Sequence, residues 1–256
     1  MKLSVIIATH ARPDSLASLI ASLKPQLRLG AHELIVADNG TPAPTELPDK
    51  KIVTLHLHDP SPGKCRVQNR AIEKAFGDVM VFLDDDLIVA RDYLDRVEEF
   101  FTDHPEFAAM KGRILPEQDP FKVAGRNWIY LDLPFVDHGD SVVEVGGMLG
   151  ANMAIRAGAL RTAGLFDERL GPGAAGHEEE TEMSVRLRRR GYNIGYAPRA
   201  LVYHAVDPAR ASRERFIRIG RERGYCRMIH ERHSLTEGAL KNLVAATRLG
   251  LARAMR

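Results

Sequence analysis

At 256 residues, with 45% hydrophobic and 27% charged residues, the chain can form one large α/β domain with or without an appendage, and its composition excludes a disordered or collagen-like protein. No apolar run approaches the roughly 20 residues of a membrane span. The two cysteines, Cys65 and Cys226, lack metal-ligand spacing and predict free thiols in a reducing cytosol. The net charge of +2 conceals an asymmetry: residues 205–256 hold 12 Lys/Arg against 5 Asp/Glu, leaving residues 1–204 net negative by 5. A basic end on an acidic body predicts either contact with something anionic, such as a membrane surface, or a solvated arginine-rich helix face.

Residues 1–8 are too short an apolar run for a signal peptide and are followed at once by His10, Arg12 and Asp14, so residues 3–8 read as a first strand. Residues 13–23 predict a helix with Pro13 in its first turn and Leu16, Leu19, Ile20 and Leu23 on one face. Residues 33–37 predict a second strand, closed by the turn signal Asp38-Asn39-Gly40. Residues 52–57 alternate like a strand, and Val67, Ala71, Ile72, Ala75 and Phe76 form a helical stripe. The wholly apolar residues 79–83 read as a strand buried on both faces. This β-α-β-α-β order predicts a mostly parallel twisted sheet flanked by helices.

The second half is less regular. A helix is expected at residues 93–101, a mixed region at 107–145, a strand at 151–155, a short helix ending at Gly164, a helix at 181–190, and two short strands at 192–196 and 201–204. Arginines at 210, 213, 215, 218, 221 and 223 mark a C-terminal helical appendage, and residues 240–255 predict an amphipathic helix that docks on the body or lies on an anionic membrane.

The acidic run Asp84-Asp85-Asp86 stands at the carboxyl end of a buried strand, where open α/β sheets bind ligands. Three crowded carboxylates there call for a divalent cation or another positive group, and hence a phosphorylated ligand. Glu178-Glu179-Glu180 follows a glycine-rich loop and precedes a helix. It can complement the helix dipole, or present a general base on a mobile loop. His204 ends a strand and is either structural or a nitrogen ligand for Mn²⁺ or a similar ion. Trp128 is either a core aromatic or a stacking platform for a sugar. Phosphate-loop, dinucleotide and nucleophile-elbow motifs do not occur. The basic tail has too few aromatics for nucleic-acid recognition, so no nucleic-acid partner is expected.

Four blocks in this order resemble the family 2 inverting glycosyltransferases of the GT-A fold over about residues 2–205: SVIIATHARPDSL, ELIVADNG, VMVFLDDDLIVARDYL, and the segment from Gly150 to His204 containing GPGAAGHEEETEMSVRLRRRG. The resemblance implies a Rossmann-like GT-A domain over residues 1–205, with a nucleotide-binding half at 1–86 and an acceptor-binding, base-bearing half at 87–205, followed by the basic extension at 206–256. It implies a cytoplasmic enzyme, in places peripheral to the membrane, that moves a sugar from a nucleoside diphosphate sugar, commonly UDP-linked, to an acceptor hydroxyl on a sugar, a lipid carrier or a small molecule.

The nucleotide-sugar set it implies is Ala8, Thr9, His10, Arg12, Asp38, Asn39, Gly63, Gln68, Asn69, Asp84 and Asp85, with Asp38 near the pyrimidine ring and Gln68 where arginine is usual. Asp86 and His204 would hold Mn²⁺ or Mg²⁺. Glu180 matches the base, with Glu179 its rival, and Gly150, Ala151 and Asn152 face donor sugar and acceptor. Two rivals use related parts. A sugar-1-phosphate nucleotidyltransferase would need a glycine-rich, arginine-bearing loop after the first strand, where His10-Ala11-Arg12-Pro13 stands. A catalytically silent nucleotide-sugar-binding protein would lack the loop base.

Overall fold

The computed structural model describes residues 1–231, apart from residues 42, 48 and 50. The helix expected over 240–255 lies outside the described residues.

A mixed sheet forms the middle layer. Strands β1 (Leu3–Thr9), β2 (His32–Asp38), β3 (Leu55–His58) and β4 (Val79–Asp84) run parallel in the order β3-β2-β1-β4. The sheet continues through β8 (Asn152–Arg156), antiparallel to β4, then β6 (Phe107–Pro116), β9 (Asn193–His204) and the three-residue β5 (Leu87–Val89). Strand β7 (Val143–Glu144) pairs with β9 as well.

Alternation along the strands builds two cores. Val5, Ile7, Val79, Val81 and Leu83 point to one face, under helices α1 (Pro13–Leu23) and α3 (Tyr93–Asp103). Ile6, Met80 and Phe82 point to the other, under α2 (Lys64–Lys74), α5 (Ala157–Ala163) and α6 (Glu179–Arg189). A short helix, α4 (Pro120–Ala124), and a 3-10 helix (Gly125–Tyr130) sit on the surface, and a last helix, α7 (Arg213–Glu231), ends the described chain.

Several sequence expectations shift. The strand expected at 52–57 begins only at Leu55, because Ile52 and Val53 turn inward to pack on the α1 side of the core. Phe76 leaves the helical stripe: α2 stops at Lys74, Ala75 is extended, and the Phe76 ring is exposed with Lys2 Nζ 5.9 Å from its centre. The mixed region conceals the ten-residue strand β6, whose Lys111, Gly112 and Arg113 break the apolar pattern. The two strands expected at 192–196 and 201–204 are one strand. Its register against β6 jumps from Gly112↔Ala197 to Arg113↔Leu201, and the unpaired bulge at residues 198–200 contains Pro198, which has no N–H to give the ladder.

Asn152 stitches that bulge. Its Nδ2 donates to Arg113 O at 3.1 Å and Ala200 O at 2.9 Å, while its Oδ1 accepts from Tyr93 Oη at 2.7 Å. A Cβ on Gly112 would land on the Asn152 amide, so this position has to be glycine. Gly112→Ala is expected to cost roughly 2–3 kcal/mol by overpacking and to lower the thermal midpoint by about 4–12 °C. Differential scanning calorimetry checks this, and an unchanged midpoint would show that Asn152 has room to move.

Candidate functional site

The sheet's pairing brings the acidic run to a single point. Asp84 ends β4 beside Ala8 of β1, and the chain then turns directly into β5. Leu87 of β5 pairs with His204 of β9, so Asp86, one residue earlier, meets the end of β9. The Ala205 amide donates to Asp86 O at 3.1 Å. His204 Nε2 stands 3.2 Å from Asp86 Oδ1, with His204 almost fully buried.

Each carboxylate of the run has a different partner. Lys64 Nζ donates to Asp84 Oδ1 at 2.6 Å. Asp85 accepts from Thr9 Oγ1 at 2.7 Å and Arg12 Nη1 at 3.0 Å; burial pushes its carboxyl up in spite of that arginine. Asp86 Oδ2 accepts from Arg12 Nη1 at 3.2 Å and Arg210 Nη2 at 2.9 Å. Burial opposes its ionisation, yet His204 and the two arginines together hold its carboxyl well below the usual range.

His204 and Asp86, the two expected metal ligands, are brought together. His204 Nδ1 lies 2.8 Å from Ala205 O, a carbonyl that can only accept, so that nitrogen carries a proton and Nε2 is the one turned to Asp86. A carboxylate oxygen and an imidazole lone pair held at 3.2 Å need a positive charge between them, either a proton or a metal. Among the described residues no group of three or more His, Cys, Asp or Glu converges with ligand spacing, so oxygens of a bound ligand and water would complete the shell.

The glutamate run opens helix α6 instead of riding on a loop. Glu178 is its N-cap in the left-handed region, φ 72°, and Glu179 and Glu180 occupy the first turn, where the helix dipole favours negative charge. Their surroundings then separate them. Glu179 is buried with Oε1 3.4 Å from Lys64 Nζ, so one lysine bridges the aspartate run and the glutamate run. The two carboxylates beside Lys64 raise its ammonium above the ordinary value despite burial. Glu180 has no ion pair among the described residues. Burial, and then the charge of Glu179, push its carboxyl up to about 8.

Both runs line one cavity of about 980 Å³. Ala8, Thr9, His10, Arg12 and Asn39 line it with Asp84, Asp85 and Asp86, and so do His204, Gly150, Ala151, Glu179 and Glu180. A Cβ on Gly150 would lie 3.7 Å from Glu179 Oε1 and 3.9 Å from Glu180 Cδ, so the glycine packs directly beside both carboxylates.

Other expected site residues lie outside this cavity. Asp38 is fully buried and both its oxygens are occupied: Oδ1 by Gly40 N and Thr45 Oγ1, Oδ2 by Thr45 N and His56 Nε2. It pins the loop after β2 and has no free acceptor for a pyrimidine. Asn69 clasps Phe166, accepting from its N at 2.9 Å and donating to its O at 3.0 Å. Gln68 is buried with neither side-chain polar atom bonded. Gly63 caps α2 beneath Gly173, and Trp128 stands half-exposed on the 3-10 helix.

Two contributors were not singled out in the sequence: Lys64, hidden in the block GKCRVQN, and helix α7, whose Arg215, Arg218, Ile219, Glu222, Arg223 and Arg227 form a further wall. Arg223 pairs with Asp132 at 3.1 Å and His177 with Glu222 at 3.2 Å, tying α7 across the cavity. A lysine immediately after a helix-capping glycine, on the strand-end side of a parallel sheet, was the available signal for Lys64.

The chain matches the family model described as Glycosyl transferase family 2 over residues 4–160. It belongs to that family. Among the family's curated members it is 29% identical over 215 residues to the O-antigen chain rhamnosyltransferase RfbN of Salmonella typhimurium, covering 80% of this chain and 67% of that one. It is 22% identical over 219 residues to the glucosyl-dolichyl phosphate glucuronosyltransferase of Haloferax volcanii, covering 80% and 70%. The mannosyltransferase PcManGT of Pyrobaculum calidifontis, solved with GDP-Man and Mn²⁺, shares the fold at TM-score 0.59 and 16% identity, over 87% of this chain and 61% of that one. The GT-A architecture expected from the four sequence blocks is therefore the observed one, and the family 2 glycosyltransferase assignment holds.

In this family 2 chain Lys64 is, among the described residues, the one ion-pair partner of both the part-buried Asp84 and the buried Glu179. Lys64→Ala is expected to destabilise the protein by about 3 kcal/mol at neutral pH, and Glu179→Gln in the same background to restore part of that loss. Urea unfolding of the two single variants and the double checks the coupling; additive losses would mean that Lys64 and Glu179 do not interact.

Proposed function

We propose that the protein is an inverting glycosyltransferase that moves a sugar from a nucleoside diphosphate sugar to an acceptor hydroxyl in one displacement, with Glu180 as general base. The observation that carries this reading is the pair of environments in one cavity. Asp86 and His204 meet at 3.2 Å in its lining, and Glu180, a carboxyl with no ion pair among the described residues and a raised proton affinity, lines the same cavity.

Asp86 and His204 would hold a divalent cation, Mn²⁺ or Mg²⁺, which when bound supplies positive charge against that of the diphosphate. Arg12 and Arg210 orient Asp86 and lie where they can also reach phosphate oxygens. Thr9, His10 and Asn39 form the wall nearest the nucleotide, and Gly150 and Ala151 the floor under the sugar. Glu180 accepts the acceptor's hydroxyl proton as that oxygen bonds to the anomeric carbon; the carbon–oxygen bond to the diphosphate breaks, and the nucleoside diphosphate departs with the electron pair. Attack from the face opposite the leaving group inverts the anomeric centre. Glu179, paired with Lys64, serves instead to raise Glu180.

The acceptor is taken to be a sugar or lipid-linked hydroxyl, with peripheral membrane contact through the basic extension after residue 205. A lipid-phosphate sugar appears in the name of the Haloferax relative. No helix among the described residues is long and apolar enough to cross a membrane.

Glu180→Gln is expected to keep donor binding and lose transfer by about 10²–10⁴-fold, measured as nucleoside diphosphate release with a panel of nucleotide sugars. If that variant turns over normally and Glu179→Gln does not, the base is Glu179. A base works deprotonated, so kcat/KM of the unmodified protein should rise with pH and level off above about 8. Glu179→Gln should move that inflection to lower pH. Asp86→Ala is expected to weaken Mn²⁺-dependent UDP binding more than about tenfold in calorimetry, and unchanged affinity would remove Asp86 from the donor site.

A further inference from the structure

Helix α7 is barely amphipathic: Ile219 and Cys226 are buried, but its other apolar residues do not form an inward stripe. The residues it turns toward the cavity are mostly charged, whereas Phe216 and Ile217 are exposed on the outside. Phe216 lies against Tyr130, ring centres 6.1 Å apart, at the end of the 3-10 helix that exposes Trp128 and Ile129. Phe121, one helix earlier, and Phe135, just beyond, are exposed as well. These six residues are nearly half of the thirteen large apolar side chains exposed among the described residues, yet they come from two short segments that touch each other. Such a concentration marks an interaction surface.

The charges around it lean positive. Lys122, Arg126, Arg213 and Arg221 have no ion pair among the described residues. Of the acids in the same segments, Asp132 binds Arg223 and Asp137 and Asp140 bind Arg113, while Glu117 and Asp119 have no ion pair among the described residues. Glu214 is the one carboxylate of α7's first turn left against the basic residues. Between Ile129 and Phe135 the chain sends Asp132 and Pro134 into the cavity wall, so this surface is also the cavity's rim.

We propose that the surface formed by α4, the 3-10 helix and the outer side of α7 docks on an anionic lipid bilayer. Its aromatic and aliphatic side chains enter the headgroup–acyl boundary while Lys122, Arg126, Arg213 and Arg221 meet the phosphates. The cavity mouth then opens at the membrane, where a lipid-linked hydroxyl is presented. This rests on the reading above only in taking the acceptor as lipid-linked; the contact itself is tested without turnover.

Trp128 is the only tryptophan of the chain and reports this surface directly. With the full chain and vesicles of phosphatidylglycerol, Trp128 emission is expected to shift to the blue and to be quenched by brominated acyl chains. Neutral phosphatidylcholine vesicles and high salt should diminish both effects. Ile129→Glu with Phe216→Glu should lower partition into the anionic vesicles by about tenfold or more and leave nucleotide-sugar hydrolysis in solution unchanged, since neither side chain lines the cavity. Unaltered Trp128 emission with anionic vesicles overturns the proposal, including the case in which the chain sediments with them through residues 232–256. So does a blue shift that follows protein concentration without lipid, which would make the occupant a second copy of the chain. Loss of hydrolysis in the double variant with vesicle partition unchanged would likewise overturn it.

Discussion

Leu87 pairs with His204 across the antiparallel β5–β9 contact, and this short pairing sets the position of the candidate chemistry. Asp86 is held one residue before the pair and receives the Ala205 amide on its own carbonyl, so carboxylate and imidazole meet through backbone geometry more than through side-chain choice. The pairing in turn depends on β9 being continuous past its bulge. The Asn152 amide, Gly112 and the Tyr93 hydroxyl hold that bulge from the β6 side. A structural asparagine in the sheet interior therefore acts on a site it does not touch.

The cavity also shows how one kind of side chain is given several jobs. Asp84, Asp85 and Asp86 follow one another in sequence, yet the first is held by a lysine, the second by a threonine and an arginine, and the third by two arginines and a histidine. Glu179 and Glu180 are neighbours on a helix, but only Glu179 has a cation within ion-pair distance. A single ammonium, set between the two acidic runs, pairs with one carboxyl and leaves its neighbour without a cation, its proton affinity raised by burial and by that first carboxylate.

The parallel β-α-β-α-β start and the helices α1, α3 and α5 were legible in the sequence, because buried parallel strands and amphipathic helices leave strong periodic signals; the strand order was not, and the pairing of residue 86 with residue 204 came from the family resemblance alone. What was obscure has local causes. Strand β6 carries Lys111 and Arg113 in its interior, and Pro198 divides β9 in the pattern but not in space. Asp38 looks like a ligand contact because Asp-Asn-Gly closes a strand at the binding edge; only the coordinates show its four lone-pair directions taken by its own loop and His56. Asn69 and Asn152 hold backbone in place, a task that leaves no periodicity to read. Helix α7 was read as an appendage because its apolar residues do not form an inward stripe, and the charged face it turns inward explains why.

Gly173 sits directly on Gly63, so close that a Cβ there would be 2.5 Å from the Gly63 nitrogen, and Lys64 N donates to Pro172 O at 2.9 Å beside it. The loop leading into Glu178 and the first turn of the lysine-bearing helix are thus stacked backbone on backbone, with no side chain as cushion. Anything that wedges the two apart moves the ammonium and the glutamates together or not at all. The charge state of the site is in this way geared to the seating of a single turn of chain.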